Sequence, residues 1–171
     1  MSHKRYFIEQ LKERYSEILG VARRAEVDAR DAAMTMQTES EKKEDARAAI
    51  EFGSLAKGQA LRMRRAHEEM EILGKFAQRE IPAFNQKSGI AMGAMVDVSV
   101  DNDEGDFEER TLILLPVGAG TELTGPGGDG FISVITPWSP IGKNLLGKRA
   151  GDVIDVTIDG ELREWTIVDV S

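Results

Sequence analysis

Carboxylates crowd the short polar stretch Glu39-Ser40-Glu41-Lys42-Lys43-Glu44-Asp45, which separates two long segments of helical period. Anionic oxygens of this kind are the ligands Mg²⁺ takes, but the ion demands six donors in octahedral array, and an exposed turn offers only a few. The carboxylates of this stretch, Glu39, Glu41, Glu44 and Asp45, could therefore complete a metal site whose other ligands belong to a second molecule. The same residues also have a purely structural reading. Thr38-Glu39-Ser40-Glu41 matches a capping box, in which a hydroxyl caps a new helix and the carboxylate three residues on reaches back. Glu44 and Asp45 would then lie in a first helical turn, where the macrodipole favours negative charge.

No self-contained catalytic set accompanies them. Cysteine is absent, which removes disulfides, thiolate metal sites and cysteine nucleophiles together. The two histidines, His3 and His67, form no His-x-x-x-His pair, and no Ser-His-Asp cluster or nucleophile elbow is present. The glycine-rich stretch from Gly118 to Gly130 lacks Gly-Lys-Ser/Thr and leads into a strand pattern where a phosphate cradle needs a helix. The expectation is a protein that is not an enzyme and has no cofactor of its own.

The elements that must position the carboxylates are two long helices. Ile8, Leu11, Tyr15, Ile18, Ala22, Ala25, Ala29, Ala32 and Met36 alternate three and four residues apart, and Ala49, Phe52, Ala56, Gln59, Met63, Ala66, Met70 and Leu73 do the same. Two such seams separated by a short polar stretch bury themselves most simply against each other as an antiparallel hairpin, with the acidic run at its tip. At about 1.5 Å rise per residue each arm would be on the order of 45 Å long. Arg23, Arg24 and Arg30 lie beside Glu26, Asp28 and Asp31 on the first arm. They read either as a solvated face laced with ion pairs or as a small basic patch that meets a phosphate backbone.

From Ala94 the period changes to two. Val96, Val98 and Val100 alternate with Asp97, Ser99 and Asp101, Arg110 to Val117 is an apolar run of strand length, and Phe131 to Ile135 is another. Asp159-Gly160 between Val153–Ile158 and Leu162–Val170 predicts a two-residue hairpin turn. The fold class is α+β: an N-terminal antiparallel coiled-coil hairpin (residues 1–78), a linker (79–93), and a small, mostly antiparallel sheet domain with one short helix at Gly142 to Leu146 (94–171).

Charge divides along the same line. Residues 1–75 hold 15 Lys and Arg against 14 Asp and Glu, about +1, whereas residues 76–171 hold 7 against 16, about −9. The acidic half has no cations with which to displace counterions from a phosphate backbone, so only the hairpin could approach RNA. No stretch approaches the run of about 18 apolar residues a membrane span needs, and Ser2-His3-Lys4-Arg5 leads into an amphipathic helix rather than a signal-peptide core. A cytoplasmic protein without membrane or small-molecule partners is expected.

Ser139-Pro140-Ile141-Gly142-Lys143-Asn144-Leu145-Leu146-Gly147-Lys148-Arg149-Ala150-Gly151-Asp152 resembles the Ser-Pro-Leu/Ile-Gly-x-x-Leu-Leu/Ile-Gly-Lys-x-x-Gly-Asp stretch of the Gre-type (GreA/GreB-like) transcript cleavage factors. The tip pattern of that family, Asp-Leu-x-Glu-Asn-Ala-Glu-Tyr, lies over Glu41 to Ala48. There Glu41 and Glu44 stand at the two acidic positions, Asp45 at the Asn, Lys42 at the apolar residue, and Arg47 and Ala48 at Glu and Tyr. The resemblance implies an FKBP-like C-terminal domain that docks on the rim of the secondary channel of bacterial RNA polymerase. It implies too that the hairpin enters the channel and its tip carboxylates help hold an Mg²⁺ shared with the polymerase active site, where backtracked RNA is hydrolysed. On that basis Trp138, Ser139, Pro140 and Ile141 are the expected partner-binding loop, since a proline-braced loop loses little entropy on binding. Arg23, Arg24 and Arg30 are candidate RNA contacts.

Three other readings are open. The family also contains channel binders that inhibit without cleavage. A peptidyl-prolyl isomerase would need a concave pocket lined with aromatics such as Phe107, Phe131, Trp138 and Trp165. A coiled-coil adaptor would give the tip no role.

Overall fold

The computed structural model describes the backbone of residues 3–38, 43–101, 107–158 and 160–171, and the side chains in these ranges except at 36–38, 43–45 and 158. Two helices, α1 (His3–Thr38) and α2 (Lys43–Ala77), precede six strands: β1 (Met95–Asp101), β2 (Phe107–Leu114), β3 (Glu122–Thr124), β4 (Phe131–Ile135), β5 (Val153–Ile158) and β6 (Glu161–Val170). A short helix, α3 (Pro140–Leu145), lies between β4 and β5. This is the α+β architecture expected from the alternation of periods. By contacts the chain divides into Lys12–Glu71 and a second unit made of Met1–Leu11 with Ile72–Ser171. The division passes through both helices.

In the first unit the buried positions are mostly alanines, Ala22 and Ala29 on α1 with Ala56 and Ala66 on α2. The hydroxyl of Tyr15, near the start of α1, bonds the carboxylate of Glu69, late in α2, so the helices run antiparallel. The seam departs from a strict heptad at one place. Ile18 is 42% exposed, and Leu19 turns toward Met63 and Met70 instead. The other buried positions, Ile8, Tyr15, Ala22 and Ala29, keep the seven-residue spacing of the seam.

The second unit is built on one six-stranded sheet of order β3-β4-β2-β1-β6-β5. β1 pairs antiparallel with β2 and with β6, β5 with β6, and β3 with β4, while β2 and β4 run parallel from Thr111↔Ile132 to Leu114↔Ile135. One face carries Val96, Val98 and Val100, Leu112 and Leu114, Trp165 and Ile167, all buried, and Leu145 of α3 packs with them. On the other face Ile113, Leu123, Ile132 and Val134 are buried, as are Phe7, Ile8, Leu11 and Leu73 at the helix ends of the same unit. Gln10 of α1 donates through Nε2 to the carbonyl of Thr124 on β3 at 3.1 Å and accepts from its N–H at 2.7 Å. The Trp165 indole N–H meets no acceptor among the described residues, and such an orphan costs about 1–3 kcal/mol against the burial of its ring.

Residues 79–93, expected as a linker, pack into this unit. Ile90 is wholly buried, its N–H donates to the carbonyl of Lys148 at 2.8 Å, and its carbonyl accepts from Gly147 at 2.8 Å. Phe84 packs on the core, with Lys4 Nζ 4.6 Å from its ring centroid. The segment has no period because its backbone is secured residue by residue, by turns such as Asn85 to Ser88, rather than by a ladder. At the Asp159-Gly160 turn, Ile158 pairs with Glu161 and Gly160 takes φ of +85°, a value glycine adopts without strain. Asp159 itself lies outside the described residues.

Burial and the bond to Glu69 both raise the Tyr15 hydroxyl pKa far above its ordinary 10.0. The unfolded chain releases that proton near pH 10 while the folded chain keeps it, so stability falls as pH rises past 10. In paired urea titrations, Tyr15→Phe should cost about 1 kcal/mol at neutral pH and lose less stability than the parent between about pH 9.5 and 11.5. Equal losses would contradict the Tyr15 assignment.

Candidate functional site

The backbone places Glu44 and Asp45 in the first turn of α2, immediately after the connection from α1. Glu39 and Glu41 lie outside the described residues. The capping box read over Thr38 to Glu41 likewise falls outside the described residues. Among the described residues no group of three His, Asp or Glu could hold a metal ion.

The three arginines do not form one patch. Arg23 and Arg30, seven residues apart, share a stripe of α1, while Arg24 is turned about 100° away. Arg30 is tied to Glu26 at 2.6 Å, one turn back. Arg23 stands beside a groove between α1 and α2 with Leu19 and Met63, a feature the spacing did not reveal.

The loop after β4 has the most determined geometry in the molecule. Ser139 caps α3: its Oγ accepts from the N–H of Gly142 at 3.1 Å and donates to the carbonyl of Thr136 at 2.8 Å, closing a turn over the buried Thr136. Pro140 is the first residue of α3. The helix thus begins two residues before the expected Gly142, since proline's missing N–H and fixed φ suit that first position. Gly142 is dictated by contact, because a Cβ there would lie 1.8 Å from the carbonyl oxygen of Thr136. Leu145 is wholly buried, Ile141 packs partly on the core, and Gly147 takes φ of +77° to end the helix. Trp138 is 64% exposed and does not fill the core. A backbone fixed on one side by Leu145 and on the other by Ser139 thus holds Trp138 and Pro140 toward solvent. Of the other aromatics, Trp165 is wholly buried while Phe107 and Phe131 are exposed, so they form no enclosed wall of the kind an isomerase pocket requires.

Residues 85–171 match the model of the family described as "Transcription elongation factor, GreA/GreB, C-term". The chain belongs to the GreA/GreB transcription elongation factor family. Among solved structures it is similar to the GreA factor homolog 1 (Gfh1) protein of Thermus thermophilus, with 20% identity over 94% of both chains and a TM-score of 0.36. Gfh1 of Thermus aquaticus gives 19% identity over 92% of both chains, also with a TM-score of 0.36. The transcription elongation factor GreA/GreB from Nitrosomonas europaea shares 22% identity over 59% of this chain and 77% of that one, with a TM-score of 0.36. No curated protein matches the chain. No helix among the described residues is long and apolar enough to cross a membrane.

Ser139→Ala should lower stability by about 1 kcal/mol through loss of the cap. Gly142→Ala should cost about 1–3 kcal/mol, because the new methyl must displace the Thr136 carbonyl. Thermal denaturation followed by near-ultraviolet circular dichroism, which reports the tryptophans, checks both, and a fully stable Gly142→Ala protein would contradict the close approach.

Proposed function

We propose that this chain is an accessory factor, not itself an enzyme, that enters the secondary channel of bacterial RNA polymerase with the connection between α1 and α2 leading and stimulates the polymerase's own cleavage of backtracked RNA. The observation that carries the reading is the match of residues 85–171 to an elongation-factor family. The position of Glu44 and Asp45 at the junction of two helices of 36 and 35 residues supports it.

The roles divide by element. The loop of Trp138, Ser139, Pro140 and Ile141 docks on the channel rim. Its backbone is already fixed by the Ser139 bonds, so little conformational entropy remains to be lost. Glu41 and Glu44 present carboxylate oxygens at the polymerase centre, with Asp45 adding negative charge beside them. A shared Mg²⁺, when bound there, would supply activation of the attacking water, leaving stabilisation of the departing oxygen to the polymerase's other ion. Arg23 and Arg24 face solvent and would meet RNA phosphates, whereas Arg30 is partly neutralised by Glu26. A second reading, a channel-occupying inhibitor, is favoured by Lys42 and Arg47, cations that dilute the acidic run.

On stalled, backtracked elongation complexes the protein should shorten transcripts, and Glu41→Ala and Glu44→Ala should each slow this by at least about tenfold. Cleavage unchanged in both variants overturns the carboxylate roles. Loss of RNA synthesis with no shortened transcripts selects the inhibitor.

A further inference from the structure

The sheet face opposite the Val96–Trp165 core carries an unusual charge arrangement over β2, β1, β6 and β5. Alternation puts Asp97, Asp101, Glu109, Asp155 and Glu164 on this side, and a register shift between Asp97 and Val98 in the pairing with β6 brings Asp169 to it as well. Asp97 stands directly opposite Asp169, and Asp155 directly opposite Glu164. Like charges so placed destabilise a sheet. The strand arginines do nothing to relieve them: Arg110 pairs in register with Val98 and Arg163 with Val156, so both lie on the core side, where they bond Glu108 and Glu161. Among the described strand residues this face holds no cation. Thr111 Oγ1 donates to Asp97 Oδ1 at 2.7 Å, a bond that leaves the charge in place.

A second observation comes from apolar residues on the same face. Phe107 is 71% exposed, Leu162 67% and Val153 50%, and none of them touches the core that their neighbours build. Acids alone would suit any counterion. Acids interleaved with an exposed phenyl ring and two aliphatic side chains suit a protein surface, whose apolar side chains cover Phe107 and Leu162 while lysines and arginines meet the carboxylates.

We infer that this face is a second docking surface, on the opposite side of the sheet from the Trp138–Ile141 loop, and that it receives a lysine- and arginine-rich protein segment of the polymerase. The inference rests on the proposed polymerase binding, and charge complementarity identifies the occupant. Because the acids, half-buried Asp169 apart, are exposed and would sit at the rim of the contact, they steer the encounter more than they hold the complex. Their mutual repulsion is the folding cost of that steering.

The test is association of the full-length protein with core RNA polymerase, measured by stopped-flow fluorescence, with the triple variant Asp155→Asn/Glu164→Gln/Asp169→Asn and with Ile141→Asp. The triple variant should associate about fivefold more slowly than the parent in roughly 50 mM salt, and the difference should vanish near roughly 500 mM. Its melting temperature should rise, since removing opposed charges relieves the sheet, whereas a merely structural role for these acids predicts a fall. Unchanged association and salt dependence in the triple variant, with binding weakened by Ile141→Asp, overturns this surface and leaves the loop docking standing. If the parent protein does not bind polymerase, both fall together.

Discussion

A β-strand has two sides and only two, and β1 uses that constraint to organise the C-terminal half. Val96, Val98 and Val100 face one way because burying them against Leu112, Trp165 and Ile167 removes their apolar surface from water. The same alternation sends Asp97 and Asp101 the other way. Once β1 is committed, β2 and β6 must pair on its two edges in the register that continues the core, and their arginines are carried to the core side while their unpaired acids are carried to the other. A slip of one residue would exchange the two faces and bury carboxylates. Packing of the core therefore fixes the electrostatics of the surface behind it.

Much of this was legible in the sequence. The two helices followed from long three-four spacing, and β1, β4, β5 and β6 from alternation and the Asp159-Gly160 turn. What escaped had physical reasons. β3 is three residues long, too short for a period to register, and lies inside the glycine-rich stretch. The parallel pairing of β2 with β4 is a property of the crossover between them, which no local pattern encodes. Ile18 was assigned to the seam by counting heptads, yet it is 42% exposed while Tyr15, Ala22 and Ala29 keep the count. The stretch from 79 to 93 looks like a linker because it has no regular ladder, yet Ile90 is as buried as any strand valine.

The candidate site divides in the same way. That Thr136 to Gly142 turn in a loop braced by prolines was visible from residue types, and Ser139 to Asp152 stood out by resemblance to a family motif. That the stiffness depends equally on the Ser139 hydroxyl and on the absence of a side chain at Gly142 was not, since both act on the carbonyl of Thr136, a contact made only in the folded chain. At the helical connection the carboxylates were identified by type, and the backbone puts Glu44 and Asp45 in the first turn of α2. There the dipole lowers the cost of holding two adjacent negative charges. Structural and functional accounts of these residues are compatible, because a carboxylate that stabilises a helix start can still project oxygen atoms outward.

Gln10 has a consequence beyond attaching one helix to one strand. β3 is the terminal strand of its sheet, and the N–H and carbonyl of Thr124 that face away from β4 would otherwise be a free pairing edge of the kind that recruits another chain. The primary amide of Gln10 has the donor and acceptor of a peptide group at the right separation, and it occupies both positions at once. A single side chain thereby does the work of a neighbouring strand, and the sheet ends in a closed hydrogen-bonded ring where it would otherwise have an adhesive border.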